Sequence, residues 1–345
     1  MEIEKYYLNM LVVKKSRAAE TTEKDSESKR NSFPESKNKA LIRHFVGNGR
    51  KAKAAIDLPS YYGELLAWGL ARHMEREDWA IEQALGYHEQ QPIYKKICTG
   101  CEKGCQIYEN LLVDGEMLVK KGDSRLVITA KTDIPHENMV QVMGLASQKK
   151  ECNQFAEDIR QICQTENFYR SKKLEFAGHI RFMDINAEPC DSFKLNDNAK
   201  AELKSKTTGL FNTNKKWTKF GAPLKRCVLI RGDSDTVNRA ICCELMAGAE
   251  GITCIVTNAA NLDYRSADEL YQLARDLSPT LVFMENADRI SESTKDDKIQ
   301  KDSPLKPLFS LLGSISEYEE IITVATTSCP DALANLPDNN YYYCD

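Results

Sequence analysis

Apolar residues change their spacing twice along this chain, and each change marks a change of architecture. Between Ser60 and Leu85, the residues Tyr62, Leu66, Leu70 and Met74 recur four apart, so the pattern predicts one helical stripe over that span. From residue 93 to 145 the spacing turns to alternation with turn signals. Asp114-Gly115 and Gly122-Asp123 bracket Glu116–Lys121, and Arg125–Ala130 follows, which predicts a β-hairpin. Phe155, Ile159 and Ile162 then share one face of a helix expected near Glu151–Gln164.

Beyond that point strands and helices alternate, the pattern of a parallel sheet covered by helices. A polar helix around Asp197–Phe211 leads in, and the expected strands are Cys227–Arg231, Ile252–Thr257, Thr280–Met284 and Ile321–Thr326. A capped helix is expected over Ser266–Leu277, with Ser266 and Glu269 as a reciprocal capping pair and Leu270, Leu273 and Leu277 as its buried stripe. No internal repeat is visible.

These patterns divide the chain into three parts. Residues 1–40 are expected to be a disordered or partly stranded tail: 14–40 are rich in Lys, Glu and Ser, and Tyr6–Val13 is a short apolar run suited to a strand. Residues 41–180 read as a small α+β domain and 181–345 as an α/β domain. Residues 291–304 are highly charged and read as an exposed loop.

Composition narrows the function classes. The net charge of −4 and pI near 5.9 provide no overall basic field for nucleic acid or an anionic membrane. No apolar run approaches the ~20 residues of a membrane span, and the acidic start MEIEKYYLNMLVVKK is unlike a secretory signal. The expectation is a cytoplasmic protein whose twelve cysteines are reduced thiols or metal ligands rather than a disulfide framework.

The first candidate chemistry lies after the strand Cys227–Arg231, where a phosphate-binding loop of the form G-x-x-x-x-G-K-[ST] would join strand to helix. The residues there are Gly232, Asp233, Ser234, Asp235, Thr236, Val237, Asn238 and Arg239. Only the first glycine survives. Val237 stands for the second glycine, Asn238 for the lysine and Arg239 for the hydroxyl residue. Asp233 and Asp235 put carboxylates where phosphates would lie, and like charges about 4 Å apart repel by about 4 kcal/mol at an effective dielectric of 20. The aspartates also suit the helix N-terminus as caps, filling the anion site from within, with Arg239 one turn on as a pairing partner.

With this loop in place, the second half resembles the AAA ATPase module of bacterial two-domain proteins. The resemblance runs over residues 165–338 and is carried by consecutive segments: ENFYRSKKLEF (166–176), KFGAPLKRCVLI (219–230), LSPTLVFMENADRI (277–290) and IITVATTSCPDAL (321–333). It implies a P-loop NTPase-like parallel sheet following a small α+β domain. It also implies a degenerate site. Active members place two adjacent acids after the second-motif strand, one ordering Mg²⁺ and one activating water; here they are Glu285 and Asn286, and an amide cannot take the proton. Glu285 remains able to hold a metal ion, or a simple strand-end hydrogen bond. Ser328 replaces the usual sensor asparagine, and no arginine follows Arg289 to act as a finger.

The resemblance further implies that the last sheet strand and the helical lid are missing. The strand Cys227–Arg231 would then be an open edge, to be covered by Tyr341–Tyr343, by Tyr6–Val13 or by another chain.

The second candidate chemistry is Cys98, Cys101 and Cys105 in CTGCEKGC. Closely spaced cysteines with glycines between them suit a zinc knuckle, with His88, His136, Cys152 or Cys163 as the fourth ligand. The alternative is a turn with small buried thiols. Trp68 and Trp79 read as core, and Lys215, Lys216 and Lys219 with Trp217 as a solvated end rather than a nucleic-acid patch.

Three functions remain open at this point. The preferred one is a non-catalytic AAA ATPase-like interaction or scaffold subunit, without cofactor, whose partner is a protein such as an active AAA subunit or an added strand. The others are a nucleotide binder or weak ATPase using ATP and Mg in a mixed assembly, and a metal- or redox-responsive regulator using the cysteines.

Overall fold

The computed structural model describes residues 37–345 except 88–89, 103–104, 135–136, 184–196, 212–225, 232–234, 290–309, 311, 314–315, 317–318, 328–340 and 345. The expected N-terminal strand and the charged loop at 291–304 lie outside the described residues, as do Lys215, Lys216, Trp217 and Lys219.

Helix α1 (Lys37–Val46) opens the described chain, inside the span read as a polar tail. Its apolar residues are few but well placed: Leu41, Ile42, Phe45 and Val46 pack with Leu85, Leu118 and Val127. Six strands then form a sheet: β1 (Lys51–Asp57), β2 (Ala80–Leu85), β3 (Ile93–Glu102), β4 (Cys105–Lys121), β5 (Ser124–Ile134) and β6 (Glu137–Leu145). Their order is β1-β6-β5-β4-β2, all neighbours antiparallel, with β3 pairing a second stretch of β4. Helices α2 (Gly63–Arg76) and α3 (Lys149–Thr165) join α1 around this sheet, giving the α+β architecture expected of the first half.

Two local expectations are corrected. The stripe from Tyr62 ends at Arg76; Asp78 takes φ +52°, and 80–85 is the strand β2. Asp114-Gly115 is not a chain reversal but lies within the 17-residue β4. Gly115 takes φ +148°, and β4 changes partners there, pairing β3 before it and β2 after it. The hairpin at Gly122-Asp123 forms as expected, between β4 and β5.

The second sheet contains β7 (Lys173–Phe176), β8 (Ile180–Phe182), β9 (Arg226–Arg231), β10 (Thr253–Asn258), β11 (Thr280–Glu285), β12 (Ile321–Thr327) and β13 (Tyr341–Cys344). Its order is β13-β9-β12-β11-β10-β7-β8. All pairs are parallel except β7 with β8. The fold is thus α/β, a mostly parallel, helix-associated sheet following an antiparallel one. β7 pairs with β10, so Lys173–Phe176 belong to the second sheet.

The central strands β10, β11 and β12 are buried almost throughout, as parallel strands covered on both faces must be. The polar lead-in is helix α4 (Asp197–Lys206). Helix α5 (Asp235–Ala247) follows β9, and α6 (Tyr264–Asp276) precedes β11. The cap of α6 is Asp263, not Ser266: Asp263 accepts from the Ser266 backbone at 2.7 Å, and Ser266 accepts from Asp263 N–H at 3.0 Å. A shorter residue at the third position closes the same reciprocal pair.

The edge at β9 is covered, as expected. Tyr341–Cys344 lies beside it in parallel register, from Tyr341 opposite Cys227 to Cys344 opposite Ile230. The sheet position thought to lack a strand is therefore filled by the chain itself, through the first of the covers considered.

Candidate functional site

The phosphate-loop region forms where β9, α5, β11 and β12 converge. Gly232, Asp233 and Ser234 lie outside the described residues. Asp235, Thr236 and Val237 begin α5, so the strand-loop-helix order expected from the sequence is present.

Asn238 stands in the first turn of α5, 3% exposed, and among the described residues its Oδ1 has no hydrogen-bond partner. An ammonium at this point would carry charge toward a phosphate; a buried neutral amide does not. Arg239 and Glu285 flank the buried thiol of Cys242 and act on it in opposite senses. Burial pushes this thiol well above its ordinary pKa, the Glu285 charge raises it further, and the Arg239 charge opposes both.

At the end of β11, Asn286 adopts φ +54°, a left-handed conformation that asparagine tolerates better than most residues. Its backbone N–H donates to Thr326 Oγ1 on β12 at 3.2 Å, and Thr326 is fully buried. This bond fixes the turn between the second motif and the sensor strand. Asp288, two residues on, keeps Oδ1 buried without a partner. Ser328 lies outside the described residues. Thr326 and Cys242 were not singled out in the sequence, because a buried threonine and a helical cysteine carry no motif of their own.

The cysteine cluster takes a different form from a knuckle. Cys98 and Cys101 lie on β3 and Cys105 begins β4, so the segment is the end of a hairpin. Cys98 pairs with Tyr108 and Cys101 with Gln106, whereas Cys105 pairs with Glu102. Tyr108 and Gln106 are two apart and share a face; Cys105, one residue from Gln106, falls on the other. Cys152 and Cys163 are buried in the core with α3, and His88 and His136 lie outside the described residues. Among the described residues no three His, Cys, Asp or Glu side chains are grouped to hold a metal ion. The register thus sets Cys98 and Cys101 on one face and Cys105 on the other.

No protein-family model matches the chain. Part of it is similar to an ATP-dependent zinc metalloprotease, FTSH 9, chloroplastic/mitochondrial, of Oryza sativa subsp. japonica, with 25% identity over 144 residues. Its counterpart FTSH 11 of Arabidopsis thaliana is 24% identical over the same length. The relationship is distant and partial. Each match covers 40% of this chain and 18% of the relative. The mostly parallel sheet is consistent with an AAA-like domain. Among the described residues no helix is long and apolar enough to cross a membrane.

Proposed function

We propose that this chain is a non-catalytic AAA ATPase-like subunit that works by binding a protein partner, in the cytoplasm, with its nucleotide site retired. The observation that carries the reading is Asn238. It occupies the place of the phosphate-binding lysine and is buried, so a neutral amide stands where an ammonium would face the phosphates.

Replacing an ammonium about 4 Å from a phosphate charge by a neutral amide forfeits about 4 kcal/mol at an effective dielectric of 20, on the order of a thousandfold in affinity. Asn286 removes the proton acceptor that activates water, and Arg239 stands where a hydroxyl would hold Mg²⁺. Asp233 and Asp235 add negative charge to the segment where a phosphate would bind. Each change weakens a different contribution, so their effects accumulate.

The test is calorimetric titration with Mg·ATP and Mg·ADP. The expected result is no binding heat at millimolar nucleotide. Micromolar affinity, or ATP turnover abolished by Glu285→Ala, overturns the reading in favour of a working nucleotide-binding subunit.

A further inference from the structure

The hairpin of β3 and the first half of β4 carries thiols that the retired nucleotide site does not use. Between Cys98 and Gly100 its register shifts by one residue, so Thr99 is an extra residue in β3. Without that bulge, residues three apart on a strand point to opposite faces. With it, Cys98 and Cys101 oppose Tyr108 and Gln106, which are two apart on β4 and joined by a hydrogen bond from the Tyr108 hydroxyl to Gln106 Oε1. The two cysteines therefore share one face. Cys105, opposite Glu102, lies on the other.

Both thiols are partly exposed, while Cys152, Cys163, Cys227, Cys242, Cys243 and Cys254 are buried. Burial raises the Cys98 thiol, and the neighbouring Cys101 charge raises it further, so the two groups sense one another. Lys96, two residues before Cys98 on the same strand, places its ammonium 4.8 Å from the Tyr108 ring centre and brings positive charge to this face.

We propose that Cys98 and Cys101 form a two-thiolate site for a soft monovalent metal ion of the copper(I) class, with Cys105 outside it. The choice of ion follows from the donor count. Structural zinc takes four ligands and iron–sulfur clusters four cysteines, whereas soft thiolate pairs suit copper(I). Binding converts one Cu⁺ and two thiols into a bis-thiolate complex of charge −1 and releases two protons. Lys96 balances that charge. No electron is transferred, so no oxidant or reductant is needed.

The test titrates the full, reduced chain with copper(I) under anaerobic conditions against the chromophoric competitor bicinchoninate. One equivalent should be withdrawn by the wild type and by Cys105→Ser. Cys98→Ser and Cys101→Ser should each weaken binding by more than the roughly 10–100-fold lost when an outer partner of a metal ligand is removed. Equal weakening by Cys105→Ser, retained binding in the Cys98→Ser/Cys101→Ser double variant, or no copper withdrawn by the wild type overturns the proposal. A measurement on the wild type alone guards against misfolded variants. Phenylarsine oxide, which bridges neighbouring thiols, should give a mass-mapped adduct joining Cys98 to Cys101; one joining Cys101 to Cys105 overturns it.

Discussion

Gly69 on α2 lies so close to Cys163 on α3 that a Cβ at residue 69 would stand 2.5 Å from the Cys163 sulfur. The sulfur has little room to yield, since Cys163 is buried and its thiol donates to the Leu65 carbonyl at 3.6 Å. Gly69→Ala should therefore lower stability by about 1–3 kcal/mol through overpacking, although alanine is the better helix former by about 1 kcal/mol. Adding Cys163→Ala should recover part of the loss. Denaturant midpoints of the single and double variants check this, and additive effects would show that the two residues do not crowd.

The left-handed backbone at Asn286 gives a second prediction. Asn286→Gly should leave stability nearly unchanged, because glycine accepts φ +54° without strain. Asn286→Glu, which restores the acid of active ATPases, should cost about 1–2 kcal/mol through backbone strain. Thermal unfolding of the two variants separates these outcomes. A stabilised glutamate variant would mean that the turn relaxes to accept it.

Asp276 ends α6, where the helix dipole disfavours a negative charge. Burial pushes its carboxyl up to about 6, against the opposing charges of Arg170 and Arg275. A folded-state pKa above the unfolded value means that folding favours the protonated acid. This contribution is fully present below about pH 3.8 and is lost as pH rises through about 6. Asp276→Asn should accordingly raise the unfolding midpoint at pH 8, by up to about 3 kcal/mol, and change it little at pH 4. Denaturant titrations at the two pH values check the sign.

Thiol reactivity should divide the cysteines by position. In the native protein Cys98, Cys101 and Cys105 should alkylate rapidly, and Cys163 and Cys227 slowly, because burial pushes the last two up to about 12. Peptide mapping after a brief exposure to iodoacetamide reads this directly. Fast labelling of Cys227 would mean that β9 opens in solution.

Much of the fold was legible because its signals are local. The strands β9 to β12 stand within one residue of the apolar runs that announce them, and Phe155, Ile159 and Ile162 mark α3. Errors arose where local signals conflict with tertiary context. Asp114-Gly115 resembles a turn but sits inside β4, held by strands on both sides. Lys37–Ala40 resemble tail because the first turn of α1 is polar and its packing stripe begins at Leu41. At the site, Asn238 is marked by the spacing of the phosphate-loop pattern, and Glu285 and Asn286 by the resemblance to AAA ATPases. The Thr326 hydroxyl was not, because its bond to the Asn286 amide joins residues on separate strands. The shared face of Cys98 and Cys101 depends on a bulge at Thr99 that no residue type announces.

The place of β13 also sets a timetable. During synthesis, the antiparallel sheet has all its strands once Leu145 has emerged. β9 must wait for β12 on one side and for Tyr341–Cys344 on the other. Throughout that interval its backbone donors and acceptors stand ready for any extended segment nearby. A nascent chain stalled before Tyr341 should therefore hold chaperones longer than one in which Tyr341–Cys344 has been made.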